Sequence, residues 1–258
     1  MSETHDAGFS MQQLDEILHL LTGVASVELK VTVAEDARQS ALESLDIDPL
    51  DAGLRQVTFF DTPGLALNRQ GIIVRGRRIQ GRPGDMVVKL RPVVPENVPE
   101  PMRKSRNLGL ELDVMPGGFT CSASIKARLS NDKLREAFSA VRSVQSVLSR
   151  EQRDLLASLT GPELELDEIR PLGTVNVLRL GFSPAGYERR LVAELWSYPD
   201  GSRLLELSTK CAPSEAFEIA AMTRVYLAGC GIDLLAEQAT KTKRAMELFA
   251  SEISVSNV

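Results

Sequence analysis

The chain has 258 residues, of which 43% are hydrophobic and 25% charged, values typical of a folded globular protein rather than a disordered chain. The net charge of −5 and the aromatic content of 5% argue against a general nucleic-acid-binding surface. No apolar stretch approaches the roughly 18 residues that a membrane-spanning helix needs. We therefore expect no membrane association and a cytoplasmic location.

Cysteine and histidine are scarce. The three cysteines are widely spaced and the two histidines, His5 and His19, both lie near the N-terminus. This pattern argues against a disulfide framework, a structural zinc site and a Ser-His-Asp triad. A metal ion bound by this chain would have to rely on carboxylates, which favours Mg²⁺ or Mn²⁺.

Predicted helices and strands follow one another along the chain. Residues 1–25 are predicted to form an N-terminal helical extension, in which Ser10 caps a helix. Alternation of apolar and polar residues predicts strands at 26–33, 85–93, 108–115, 175–182, 188–198 and 203–210, and a strand, turn and strand within 57–79. Helical spacing predicts helices at 35–45, 131–159, 216–231 and over much of 232–252.

The ionic residues of each predicted strand share one face. Arg75 lies on one face with Arg77, and the segment from Arg69 to Arg91 holds seven basic residues and a single acid, Asp85. Strands with one solvated face are one explanation, but such a face normally mixes its charges. A barrel with a charged interior and helices packed outside is the other explanation. Clustered buried cations are destabilising without a ligand, so this second explanation predicts that the barrel binds a polyphosphate complexed with a metal ion.

Six segments of the sequence resemble, in order, the signature of the CYTH, or triphosphate tunnel metalloenzyme, family. They are VELK (27–30), FFDTPGLALNRQGIIVRGRR (59–78), KLR (89–91), LELD (110–113), ELSTK (206–210) and KTKRAMEL (241–248). The resemblance implies an α+β fold, in which an eight-stranded antiparallel β-barrel forms a triphosphate tunnel with helices packed outside. It places this tunnel domain at residues 26–252, with a helical insertion near 131–159, and implies Mg²⁺ or Mn²⁺ as cofactor.

The resemblance also implies roles for individual residues. Lys30 and Glu206 are the candidate catalytic residues, and Asp61 is expected to bond nearby backbone amides in the turn after its strand. Glu28, Glu194 and Glu206 are expected to bind the metal, with Glu111 and Asp113 as supporting acids. The expected phosphate-binding residues are Lys30, Arg75, Arg77, Lys89, Arg91, Arg179, Arg190, Lys210, Lys241 and Lys243, the last two from the start of the final helix.

Two positions depart from the family pattern. The opening Glu-x-Glu-x-Lys motif reads Ser26-Val27-Glu28-Leu29-Lys30, and the late Glu-x-Glu motif ends in Ser208. A serine hydroxyl is a neutral ligand, so the loss of two carboxylates predicts weaker metal binding.

Three functions are compatible with these features. The first is a metal-dependent hydrolase of a triphosphate-containing small molecule, such as inorganic triphosphate or thiamine triphosphate. The second is a non-catalytic module that binds triphosphate, polyphosphate or a nucleotide, which Ser26 and Ser208 favour. An adenylyl cyclase ranks lowest, because no base-binding pocket is evident. The expected partner is the small molecule, and we expect neither nucleic acid nor a membrane as partner. Formation of a homo-oligomer is possible.

Overall fold

The computed structural model describes residues 9–161, 164, 166–238 and 240–256, and only the backbone of 252–256. Residues 1–8 of the predicted N-terminal extension lie outside this range. The helices are α1 (Met11–Leu21), α2 (Arg38–Ser44), α3 (Ala66–Arg69), α4 (Glu100–Arg103), α5 (Asn131–Phe138), α6 (Arg150–Thr160), α7 (Ala216–Gly229) and α8 (Lys241–Ser256). The strands are β1 (Ser26–Val33), β2 (Gly53–Asp61), β3 (Ile72–Ile79), β4 (Arg82–Leu90), β5 (Leu108–Met115), β6 (Gly118–Leu129), β7 (Arg170–Phe182), β8 (Leu191–Ser197) and β9 (Arg203–Cys211).

The strands form a closed barrel in the order β1-β5-β6-β4-β3-β2-β7-β8-β9, with β9 paired to β1. The predicted α+β barrel with helices outside is therefore confirmed, but the predicted number of eight strands is wrong. The ninth strand is β6, which follows the Gly117 turn and had no predicted structure. Its inward positions carry small polar residues such as Ser122 and Ser124, and this weakens the hydrophobic signal of a strand.

The prediction of a wholly antiparallel barrel is also wrong, because the barrel is mixed. Strands β1 and β5 run parallel, with Glu28 opposite Asp113 and Ser26 opposite Glu111, whereas the other neighbouring pairs are antiparallel. Sequence alternation shows which face a residue occupies but not which strand lies beside it. The parallel pair matters for function because it brings the acids of two strands side by side.

Local sequence signals explain several other elements. Ser10 caps α1 as predicted, since its side chain accepts a hydrogen bond from the amide of Gln13. Asp61 accepts bonds from the amides of Thr62, Leu67 and Asn68 at 2.7–2.9 Å, which confirms its predicted role in the turn. The predicted helix at 131–159 is instead two helices, α5 and α6, and Ala140 between them has a positive φ of 57°.

The outward faces of the strands pack against the surrounding helices. In one cluster Leu29 of β1 and Leu112 of β5 pack with residues of α1, α5 and α6, and in another Val31 and Leu207 pack with Leu227 of α7. These apolar outward faces leave the alternate side chains of each strand pointing into the barrel. No helix among the described residues is long and apolar enough to cross a membrane.

Helix α8 closes one end of the barrel interior. Its residues Ala245, Met246 and Phe249 are buried against inward-facing side chains of β2, β7 and β8, among them Val57 and Trp196. The ring of Phe249 lies so close to Gly173 of β7 that a Cβ atom there would be 2.1 Å from it. The glycine thus makes room for the aromatic ring that anchors the helix.

Replacing Gly173 by alanine should loosen this end of the barrel. We expect Gly173→Ala to lower the free energy of unfolding by about 1–3 kcal/mol, because its methyl group needs the space of the Phe249 ring. Urea denaturation measures the change. Gly229→Ala is the matched control, because nothing lies within 4 Å of its added Cβ. Equal losses in the two variants would contradict this packing.

Candidate functional site

The barrel interior contains a cavity of about 340 Å³, lined by residues from all nine strands and the start of α8. Among the described residues, ten cationic and five acidic side chains line it, an excess of five positive charges. The cations are Lys30, Arg55, Arg75, Arg77, Lys89, Arg91, Lys126, Arg179, Lys210 and Lys241, and the acids are Glu28, Glu111, Asp113, Glu194 and Glu206. Such a lining is complementary to a small, highly charged anion.

Most of the predicted site residues lie together in this cavity. They include eight of the ten predicted phosphate-binding residues and all five predicted acids. The exceptions are Arg190, whose guanidinium bonds to the carbonyl of Gly181 at 3.0 Å, and Lys243, which is exposed and pairs with Glu247 at 3.8 Å. Neither of them lines the cavity, because Arg190 precedes β8 and Lys243 lies on the solvent side of α8.

Two cationic residues of the cavity, Arg55 and Lys126, were not predicted. Arg55 is buried near the start of β2, which begins four residues before the predicted strand. Lys126 is exposed and lies on β6, the strand that had no prediction. Alternation of Cys121, Ala123 and Ile125 with polar residues is the signal that could have identified β6.

Arg75 is a cation of the cavity whose side chain has no partner of opposite charge among the described residues. Its guanidinium makes no ion pair or hydrogen bond with them, although it lies inside the barrel on β3. Burial, followed by the charge of Arg77, lowers the pKa of Arg75 below its usual value. Burial also lowers the pKa of Lys89, to about 8, although Asp113 opposes the shift. Both shifts indicate cations that a bound anion would stabilise.

One group of acids lies on the parallel strands. Carboxylate oxygens of Glu28, Glu111 and Asp113 lie within 4.8 Å of one another. Lys30 Nζ lies 3.1 Å from Glu28 and 2.8 Å from Asp113, and Lys210 contacts Glu111. Burial raises the pKa of Asp113, but Lys30 and Lys89 outweigh burial, so the pKa is about 2. All of these contacts favour ionised carboxylates.

This acidic group fits a divalent ion. Its three carboxylates are close enough for one hard cation to touch all of them. Asp113 is buried, and its oxygens lie 2.8–3.8 Å from the cationic groups of Lys30, Arg91 and Lys89 without a hydrogen bond of ordinary geometry. The predicted ligand set was Glu28, Glu194 and Glu206. The structure instead groups Glu28 with the two predicted supporting acids.

The other two acids lie together elsewhere in the cavity. Glu194 of β8 is opposite Glu206 of β9, and Lys241 Nζ lies 2.7 Å from an oxygen of each. Burial lowers the pKa of Lys241, but Glu206 and Glu194 outweigh it and hold the pKa well above its usual value. Lys241 is therefore a charged link between these carboxylates.

The two serines that depart from the family pattern lie next to the acidic group. The hydroxyl of Ser26 is 3.4 Å from Glu111, and that of Ser208 is 3.4 Å from Glu28. In these positions the hydroxyls orient carboxylates without adding negative charge.

Two solved structures share this architecture. A protein from Hippeastrum, described as an adenylyl cyclase candidate with a dominant triphosphatase activity, has a TM-score of 0.64 at 17% identity, over 89% of this chain and 96% of that one. The chain has the fold of this protein. A provisionally named adenylate cyclase from Bacillus halodurans has a TM-score of 0.59 at 18% identity, over 86% of this chain and 97% of that one. Neither a family model nor a curated protein matches the sequence.

The pKa of Asp113 predicts how the stability of the tunnel depends on pH. Because this pKa is about 2 instead of the usual 3.8, Asp113 stabilises the folded chain above pH 3.8, and this stabilisation is lost as the pH falls towards 2. Its size is on the order of 2 kcal/mol. In Asp113→Asn, the unfolding free energy measured with a chelator present should fall less between pH 5 and pH 2.

Asp132→Asn is the control for this prediction, because the side chain of Asp132 is 79% exposed and its one ion pair among the described residues is with Arg135 at 3.3 Å. It should keep the wild-type dependence on pH. A wild-type dependence in Asp113→Asn would show that Asp113 is not ionised by its lysine neighbours.

Proposed function

We propose that the protein is a divalent-metal-dependent hydrolase of a triphosphate-containing small molecule, such as inorganic triphosphate or thiamine triphosphate. The observation that carries the proposal is the enclosed cavity, in which ten cations face five acids. Arg75 forms no ion pair with a carboxylate of the described residues, and arginine forks match the oxygens of phosphate groups. The triphosphatase activity described for the Hippeastrum protein supports the same reaction class.

The cationic side chains would bind and orient the phosphates. Arg75, Arg77 and Lys89 lie on the neighbouring strands β3 and β4, so they can contact successive phosphate groups from one side. Their charges would also stabilise the negative charge of the transition state, which is the main protein contribution to phosphoryl transfer. The barrel wall would limit access of bulk water to the bound chain.

The acids divide into two roles in this proposal. Glu28, Glu111 and Asp113 would hold Mg²⁺ or Mn²⁺, which when bound supplies Lewis-acid polarisation of phosphate oxygens. Lys30 lies between Glu28 and Asp113, and its ammonium would donate a hydrogen bond to a phosphate oxygen when the anion is present. Glu206 is the candidate that accepts a proton at a carboxylate oxygen from the attacking water.

A non-catalytic triphosphate-binding module is the second candidate. The serines at 26 and 208 favour it, because cations alone can bind phosphate whereas hydrolysis needs the metal. Adenylyl cyclase activity is the candidate function with the least support. Trp196 is the one aromatic residue among the described residues that line the cavity, and it already contacts Lys241 and Glu194, so it offers no free surface for stacking a base.

Binding of the anion depends on Arg75 in this proposal. We expect Arg75→Gln to raise the dissociation constant for tripolyphosphate roughly 10- to 100-fold, because it removes charge-assisted hydrogen bonds. Calorimetric titration with a chelator present measures the constant. The fold should keep its stability, since Arg75 has no partner to lose among the described residues. Arg150→Gln is the control, since the side chain of Arg150 is 90% exposed, and an unchanged constant in Arg75→Gln would defeat the assignment.

Hydrolysis separates the first candidate from the second. We expect the full chain to release phosphate from tripolyphosphate when Mg²⁺ or Mn²⁺ is added, and Asp113→Asn to lose most of this metal-dependent release. A colorimetric phosphate assay measures the rate. Asp132→Asn is again the control and should retain it. Tight binding without phosphate release would support the binding module, and formation of a cyclic nucleotide from ATP would support the cyclase.

A further inference from the structure

The link between Lys241 and the two acids Glu194 and Glu206 has the features of a permanent contact. Lys241 donates hydrogen bonds of 2.7 Å to both carboxylates, and its ammonium lies 5.4 Å from the centre of the Trp196 ring. Its backbone carbonyl accepts a hydrogen bond from the hydroxyl of Tyr198 at 3.1 Å. Both ends of the residue are therefore fixed, and α8 itself is anchored through Phe249.

The surroundings of Glu194 leave little room for a further cation. Its carboxylate also accepts a bond from the indole nitrogen of Trp196 at 3.3 Å, and the guanidinium groups of Arg179 and Arg55 lie at 3.3 and 3.9 Å. Three positive charges therefore surround this carboxylate, and three also lie within 4 Å of Asp113. The two groups of acids differ in their directed hydrogen bonds rather than in the number of nearby charges.

The group formed by Glu28, Glu111 and Asp113 differs in its hydrogen bonding. Lys30 lies within ion-pair distance of two of these acids, but Asp113 accepts no hydrogen bond of ordinary geometry. An ion that displaced Lys30 would therefore break fewer directed bonds than an ion that displaced Lys241. The third carboxylate also gives this group more oxygen ligands than the pair of Glu194 and Glu206.

We propose that Lys241 takes the place of a second divalent ion between Glu194 and Glu206, so that the chain binds a single ion, at Glu28, Glu111 and Asp113. The inference rests on the proposed function in that it assumes metal binding in the tunnel. Lys241 is thus a positioning residue, whose ammonium group holds the two carboxylates together. The ammonium offers one positive charge instead of two, and the nearby Arg55 and Arg179 supply further positive charge.

Counting bound Mn²⁺ tests this inference without any reaction. Electron paramagnetic resonance of free Mn²⁺ gives the number of ions bound per chain, with no triphosphate present. We expect one ion for the wild-type chain and two for Lys241→Met, in which the alkyl stem stays and the ammonium is removed. Lys243→Met is the matched control, because Lys243 is exposed on the same helix and should bind one ion as in the wild type.

Fluorescence of Trp196 reports where the second ion binds. It is the single tryptophan of the chain, and its indole nitrogen bonds to Glu194. Paramagnetic Mn²⁺ bound between Glu194 and Glu206 would quench it, so Lys241→Met should show stronger quenching than the wild type or Lys243→Met. Adding Glu206→Gln to Lys241→Met should remove both the second ion and the extra quenching.

Two results would overturn the inference: two ions bound to the wild-type chain, or no additional ion in Lys241→Met. If circular dichroism shows that Lys241→Met does not fold, Glu206→Gln in the otherwise wild-type chain provides the test. This variant should bind the same number of ions as the wild type, and the loss of a bound ion would contradict the inference. If the proposed function is wrong, the wild-type chain should bind no ion and release no phosphate. A gain of one ion in Lys241→Met would then still support the role of Lys241.

Discussion

Repulsion between cations inside a closed barrel is the constraint on which the rest of this structure depends. Ten lysine and arginine side chains line a cavity of about 340 Å³, and burial weakens their hydration. Five carboxylates offset part of this charge, and Asp113 and Glu194 each have three cations within 4 Å. The excess is tolerated because the apolar outward faces and the surrounding helices stabilise the barrel independently of its interior.

The architecture assigns the acids to two different environments. The parallel pairing of β1 and β5 brings Glu28 next to Asp113, with Glu111 close by, and leaves oxygens without directed hydrogen bonds. The antiparallel pairing of β8 and β9 brings Glu194 next to Glu206, where the first residue of α8 binds both. Chemically similar side chains thus have different neighbours, and in the proposal above this difference decides which group of acids binds the metal.

Part of the site could be predicted from the sequence, because strand alternation shows that Arg75 shares a face with Arg77 and that Lys89 shares one with Arg91. Resemblance to a known family then supplied the closure of the barrel. The neighbours of each strand could not be predicted, because periodicity carries no information about which strands pair. The grouping of Glu28 with Asp113 depends on the pairing of β1 with β5. Lys241 was assigned to the phosphates, and its bonds to two carboxylates depend on the position of a helix that packs only in the finished fold.

The pairing of the first strand with the last has a consequence for synthesis of the protein. Ser208 of β9 bonds to Glu28 of β1 across 180 residues of chain, and α8 follows still later. While the ribosome is translating the intervening residues, β1 lacks its β9 neighbour, so its edge is open to unwanted pairing. The barrel can therefore close only after β9 has been translated, and until then that edge of β1 stays unpaired.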